Sequence, residues 1–147
     1  MMAFEPVDSS YQERAHAHFR LERFLHTLGV TMSELGAGRC RLSVASSETL
    51  NQEHGYFHAG VVAALADASG GYAAFTLLPA DKTQVTVEFK VSLLSPSIGD
   101  SLSAEAVVLR PGRRLTVCRA DVYAETGDDD RKLCATALAT YMAVPNP

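Results

Sequence analysis

Apolar and polar positions follow two different periods along this chain, helical in two early stretches and alternating almost everywhere else. From Tyr11 to Leu28 the apolar residues Ala17, Leu21, Phe24, Leu25 and Leu28 recur at helical spacing, and Gly29 stands where a C-terminal cap belongs, which predicts a helix over 11–28. Residues 1–10 before it read as a loose lead-in. Val30 to Ser47 predicts two strands around the turn Leu35-Gly36-Ala37-Gly38, followed by a polar loop from Ser46 to Phe57. The stretch from His58 to Leu78 reads as a second, longer helix, stopped by Pro79. Beyond it Thr83 to Leu94 alternates, with Val85, Val87, Phe89, Val91 and Leu93 on one face and Thr86, Glu88, Lys90 and Ser92 on the other. Turns at 95–100, 110–113 and 126–131 separate three more strands, the last running from Leu133 to about Met142.

The long helix is unusual. Val62, Leu65, Ser69, Tyr72 and Thr76 share one mostly apolar face, and Asp67 lies on the opposite face among Gly60, Ala63, Ala64, Gly70, Gly71 and Ala74. Two interior glycines and an aspartate forgo about 2–3 kcal/mol of helix propensity relative to alanine. A Gly/Ala strip lets another backbone approach closely, and a lone carboxylate within it is a candidate for chemistry. The simpler alternative is that Asp67 is solvated or satisfied by a nearby hydroxyl or amide, with the small residues only easing packing.

The order is helix, two strands, long helix, four strands with short connections. Successive hairpins imply a mostly antiparallel sheet, and a sheet with one long helix is most economical when it curls around that helix. The expected class is α+β, one domain over 1–147, with the Val62/Leu65/Tyr72 face of the helix on the concave side.

The run Asn51 … Gly55-Tyr56-Phe57-His58-Ala59-Gly60 … Asp67 resembles the signature of hot-dog-fold acyl-CoA thioesterases of the phenylacetic-acid-pathway type. The blocks Val85-Thr86-Val87-Glu88-Phe89, Leu94-Ser95-Pro96 and Pro111-Gly112-Arg113 are similar to its later motifs, so that the resemblance spans about 20–143. It implies a hot-dog fold and hydrolysis of an acyl- or aryl-CoA. By the same resemblance Asp67 matches the catalytic carboxylate, His58 the histidine that opens the helix, and Thr86 a hydroxyl that positions the attacking water. Ala59 stands where the family usually has a glycine whose N–H polarises the thioester carbonyl, and alanine keeps that N–H. The polar position usually held by an asparagine falls to Asn51, Gln52 or His54.

Thioester hydrolysis needs a carboxylate, either to attack the carbonyl as nucleophile or to activate water as base, and hydrogen-bond donors aimed at the developing oxyanion. A helix N-terminus, here Ala59 and Gly60, supplies such donors. Ala59 and Asp67 are eight residues apart, so along one helix about 12 Å separates them. A single helix cannot bring both to one carbonyl. Two antiparallel copies can, which predicts a homodimer with shared sites, and the resemblance implies a dimer of dimers.

Charge bears on the partners. A net charge of −4 argues against nucleic acid as a ligand. The several phosphates of coenzyme A, which is part of the substrate and not a cofactor, must then be met locally, with Arg110, Arg113, Arg114 and Lys90 as candidates or simply as solvated cations. Cys40, Cys118 and Cys134 are an odd count spread through predicted strands, which reads as reduced thiols of a cytoplasmic protein. No signal peptide or membrane-spanning run is visible. His16, His18 and His26 share the first helix without any carboxylate or cysteine cluster, and no metal site is expected. Phe57, Tyr56, Phe75 and Tyr72 could line an acyl pocket or equally be core. Two other functions compete: a hot-dog hydratase or dehydratase, whose Asp-x-Asn-Pro-x-His type of motif this chain lacks, and a non-catalytic acyl-CoA binding module.

Overall fold

The computed structural model describes residues 3–147. Its elements are helices α1 (Tyr11–Leu21), α2 (Arg23–Leu28) and α3 (Ala59–Phe75) and strands β1 (Thr31–Gly36), β2 (Arg39–Ala45), β3 (Lys82–Leu93), β4 (Ser101–Pro111), β5 (Leu115–Thr126) and β6 (Asp130–Pro145). All six strands join one antiparallel sheet in the order β1-β2-β4-β5-β6-β3. The long helix α3 packs against β2, β3, β4, β5 and β6. Five strands at about 4.8 Å spacing span about 19 Å, whereas a helix is about 10 Å across, so contact with all five requires the sheet to curve around it. This is the hot-dog arrangement.

Small residues allow the close approach. The inner face of the sheet presents Ala104, Ala106, Ala120, Ala124, Ala135, Ala137 and Ala139, all buried, with Leu42, Val44, Leu102 and Val122 filling the space beside the helix. The helix face predicted to be inward (Val62, Leu65, Ser69, Tyr72, Thr76) is buried throughout. The opposite face is only half free. Gly70, Gly71 and Ala74 are buried as well, because the β3–β6 edge of the same chain folds over them. A Cβ on Gly70 would run into the Tyr141 hydroxyl, and one on Gly71 would stand 2.8 Å from Gln84 Nε2. The small residues left for another molecule are those nearer the helix start, Ala59, Gly60, Ala63 and Ala64.

Three expectations need correction. The helix predicted over 11–28 is two helices, broken at Glu22, whose ψ of 91° leaves the helical region. Ala15, Phe19 and Leu25 are the buried positions, while Leu21 and Phe24 point outward. The break is held by the Phe19 carbonyl, which accepts from Glu22 N–H at 3.1 Å and lies 3.0 Å from His26 Nε2. Gly29 does form the expected cap, with φ 78°.

The long helix stops at Phe75, short of Leu78. Thr76 ends it by turning its hydroxyl to the Ala73 carbonyl (2.6 Å) while accepting from the Gly38 N–H (2.8 Å), which ties the β1–β2 turn to the helix end.

Strand β3 does not keep one face. A bulge between Thr86 and Glu88 leaves Val87 without a partner, so the alternation reverses there. Before the bulge Thr86 pairs with the inward Tyr141; after it Phe89 and Val91 pair with the inward Ala139 and Ala137. The set Val85, Val87, Phe89, Val91, Leu93 is therefore divided between faces. Residues 3–10 form no helix or strand, yet they are tied down: Phe4 packs against the core and Asp8 binds the Arg14 guanidinium at 2.5 Å.

Candidate active site

His58 precedes the long helix as its N-cap, in extended backbone (φ −60°, ψ 139°), and its Nδ1 accepts from the Gly60 N–H at 2.8 Å. The N–H groups of Val61 and Val62 reach the His58 carbonyl at 2.9 and 3.3 Å. Gly60 is thus engaged, and the Ala59 N–H is the first-turn amide with no acceptor among the described residues. It stands at the positive end of a 17-residue helix dipole, exposed.

The three candidates before the helix part company. Asn51 turns its amide to Ser46 Oγ (3.0 Å), and its Oδ1 is buried without a partner. His54 is exposed beside Glu53. Gln52 lines a cavity of about 390 Å³ together with Ala59, Tyr56 and Phe57.

Asp67 belongs to a different cavity, of about 310 Å³, which it shares with Thr86, Gln84, Tyr72 and His18. Thr86 Oγ1 donates to Asp67 Oδ1 at 2.9 Å. The bulge at Val87 puts Thr86 on the same face of the sheet as Tyr141, the face toward the helix. The Tyr141 hydroxyl donates to the Asp67 carbonyl at 2.7 Å, locking the helix to β6 at this residue. Half-burial pushes the Asp67 carboxyl above its ordinary value of 3.8, and the hydroxyls of Thr86 and Tyr141, which favour the charged form, pull it partly back. A carboxylate raised in this way is a better proton acceptor than a solvated one.

Tyr141, Gln84, His18 and Glu22 at this site escaped the sequence reading. Tyr141 is the one aromatic in β6 and follows the alanine, threonine and leucine run from Ala135 to Thr140, and that contrast was the available signal. The other three are brought in by the strand register and by the break after α1. Of the four aromatic candidates, Tyr72 lines the Asp67 cavity, Tyr56 and Phe57 the Ala59 cavity, and Phe75 is core beneath His18. Arg110, Arg113, Arg114 and Lys90 are exposed and line neither cavity. The turn carrying Arg113 and Arg114 lies two strands from the Asp67 side, where Leu115 pairs with Met142 and Met142 with Val85.

The family model of the Thioesterase superfamily matches residues 54–130, more than half of the chain. The chain belongs to this superfamily. The thioesterase is 34% identical over 124 residues to a Halobacterium salinarum protein provisionally named an esterase, covering 80% of this chain and 82% of that one. It is similar to the crystal structure of a thioesterase family protein from Silicibacter pomeroyi, with TM-score 0.89, 38% identity, and 92% and 99% of the two chains covered. The E. coli PaaI protein of the phenylacetic acid degradation operon shares the fold at TM-score 0.82 and 20% identity, over 93% of this chain and 95% of that one. The protein is a hot-dog thioesterase, an enzyme that hydrolyses thioesters. Among its described residues no helix is long and apolar enough to cross a membrane.

Proposed function

We propose that this thioesterase hydrolyses acyl-CoA at sites shared between two chains, with Asp67 from one and the Ala59 N–H from the other. The observation that carries the proposal is the separation of the two groups. One helix holds an amide without an acceptor and a carboxylate fixed by Thr86, in different cavities and about 12 Å apart.

For Ala59 of one chain to face Asp67 of the other, a two-fold axis must pass near the residue midway between them, Ala63. Small residues are needed there, and the sequence around it is Gly60-Val61-Val62-Ala63-Ala64. Ala63 and Ala64 are also part of the helix surface that the chain's own sheet leaves open. The adjacent strand β3 is 12 residues long, lies at the sheet edge, and exposes Val87, Phe89 and Leu93. An uncovered apolar edge of this length invites pairing, and a second copy of β3 covers it. Phe89→Glu is expected to leave the chain monomeric in light scattering and to abolish thiol release together with the dimer. A dimeric or fully active variant counts against this interface.

In the reaction Asp67 draws a proton from water as the water oxygen attacks the thioester carbonyl carbon. The oxyanion is met by the partner's Ala59 N–H; the C–S bond then breaks, and the CoA thiolate leaves and takes up the proton. Thr86 fixes the carboxylate and offers its oxygen to the water, Gln52 flanks the oxyanion side, and His58 holds the helix start. Exposed Arg110, Arg113, Arg114 and Lys90 are left to meet the phosphates. Three buried free thiols suit a reducing cytoplasm.

The acid limb of kcat/KM reports Asp67. Its midpoint is expected above the ordinary aspartate value of 3.8. Thr86→Ala removes a hydrogen bond to the charged form, so the limb should move to higher pH. An unmoved limb would separate Thr86 from the working carboxylate.

A further inference from the structure

Asp67 is held at two points, and only one of them is its carboxylate. Thr86 on β3 and Tyr141 on β6 are partners in the strand register and face the helix side by side. Thr86 donates to the carboxylate, while the Tyr141 hydroxyl donates to the backbone carbonyl of the same residue at 2.7 Å. Tyr141 is 1% exposed, which closes it off from any substrate. Burial first, and the Asp67 charge second, push its hydroxyl well above the ordinary value of 10.0, so it keeps its proton and stays a donor at neutral pH.

Room for this phenol comes from the helix. Gly70 lies three residues beyond Asp67 on the same helix face, and a Cβ there would run into the Tyr141 hydroxyl. Glycine inside a helix costs propensity, and the pair Gly70-Gly71 loosens the turn that follows Asp67. Thr86 cannot offset that alone, because it fixes the tip of a side chain and leaves the backbone beneath it able to shift. The hydrogen bond from β6 ties down the backbone at the residue where the loosened turn begins. Placement matters at this scale, since a shift of about 1 Å in a reacting group can cost about 10²-fold in rate.

We infer that Tyr141, admitted by Gly70, is a positioning residue for thioester hydrolysis, acting through Asp67 by fixing the turn of the helix that carries it. The inference rests on reading Asp67 as the reacting carboxylate.

Tyr141→Phe keeps the ring and removes only the hydroxyl. In the full-length enzyme, with the best-cleaved ester of a panel of alkyl and aryl acyl-CoAs, kcat should fall by about tenfold while KM stays within about twofold. The acid limb should move to higher pH, because a hydroxyl that favours the charged carboxyl is gone. Among the described residues the other titratable groups around this pair are His18 and Glu22 from the helix break, Tyr72 of the long helix and Cys118 of β5, and all stay in place. If Tyr141→Phe does not fold, Gly70→Ala makes the same test with the tyrosine present, since its methyl displaces the hydroxyl.

The Asp67→Asn background separates positioning from general stability. There, adding Tyr141→Phe should change the residual thiol release by less than about twofold, because no carboxylate is left to place. A tenfold loss that recurs in that background, or a Tyr141→Phe enzyme with unaltered kcat and acid limb, overturns the inference and leaves the thioesterase reading intact. Should Asp67→Asn itself cleave as fast as the unaltered enzyme, the reading of Asp67 falls and the inference with it.

Discussion

Asp67→Asn is expected to lower kcat for acyl-CoA hydrolysis by about 10³-fold, the usual contribution of a positioned acid or base, while binding of a CoA ester stays within a few-fold. Asparagine keeps the size of the side chain and an oxygen for Thr86 to donate to, so the fold around it is preserved. What it lacks is the capacity to take a proton. Thiol release measures the first effect, and titration with a non-hydrolysable thioether analogue the second. A protein that only binds acyl-CoA would release no thiol with either residue, and a hydratase would add water to an enoyl-CoA in place of releasing thiol. Stability gives an independent check. The folded-state carboxyl titrates above 3.8 because burial disfavours its charge, so the folded chain holds this proton more tightly than the unfolded one. Stability therefore falls as pH rises from 3.8 through the folded value, and the loss persists above it. Asp67→Asn removes that loss and should melt higher than the unaltered protein at neutral pH. A lower melting point would mean that the carboxylate contributes more to packing than burial takes away.

Mixing two inactive chains should restore activity. Asp67→Ala lacks the carboxylate and Ala59→Pro lacks the amide, so neither homodimer has a working site. A mixed dimer has one site with both wild-type groups and one with neither. Random exchange of equal amounts makes half the dimers mixed, and half their sites competent, giving about a quarter of the activity of the unaltered enzyme. The proline variant is a fair test because position 59 is the first residue of the helix, where proline is well tolerated. His58 before it already has the extended backbone that a following proline demands. The ring that proline adds lies in the site that is already dead. Background activity in a mixture shown by native mass spectrometry to contain mixed dimers would rule out sharing of these two groups.

Much of the fold was legible along the chain. The alternation beyond Lys82, the turns between strands, the inward stripe of the long helix and the cap at Gly29 are all set by bonds and side chains within one element or one hairpin, and periodicity reports them directly. The distance between a first-turn amide and a third-turn carboxylate was legible too, since spacing along a helix is fixed once the helix is recognised. The proposal that a second chain completes the site starts from that distance.

Other features depend on competition between distant parts. The helical pattern of Ala17, Leu21 and Phe24 continues past Glu22, but the core accepts Phe19 and Leu25 and rejects the continuation. Alternation through Val85, Val87 and Phe89 hides a bulge, because an extra apolar residue at a sheet edge leaves the pattern unbroken while reversing which side chains face the helix. Only with that reversal does Thr86 reach Asp67. Nor does local sequence show that Tyr141, more than seventy residues after Asp67, covers half of the Gly/Ala strip and leaves the other half open. The sequence by itself determined most of the elements, their order and which groups are candidates for chemistry. The tertiary structure decided which faces those groups present, because a face is chosen by what the rest of the chain packs against it.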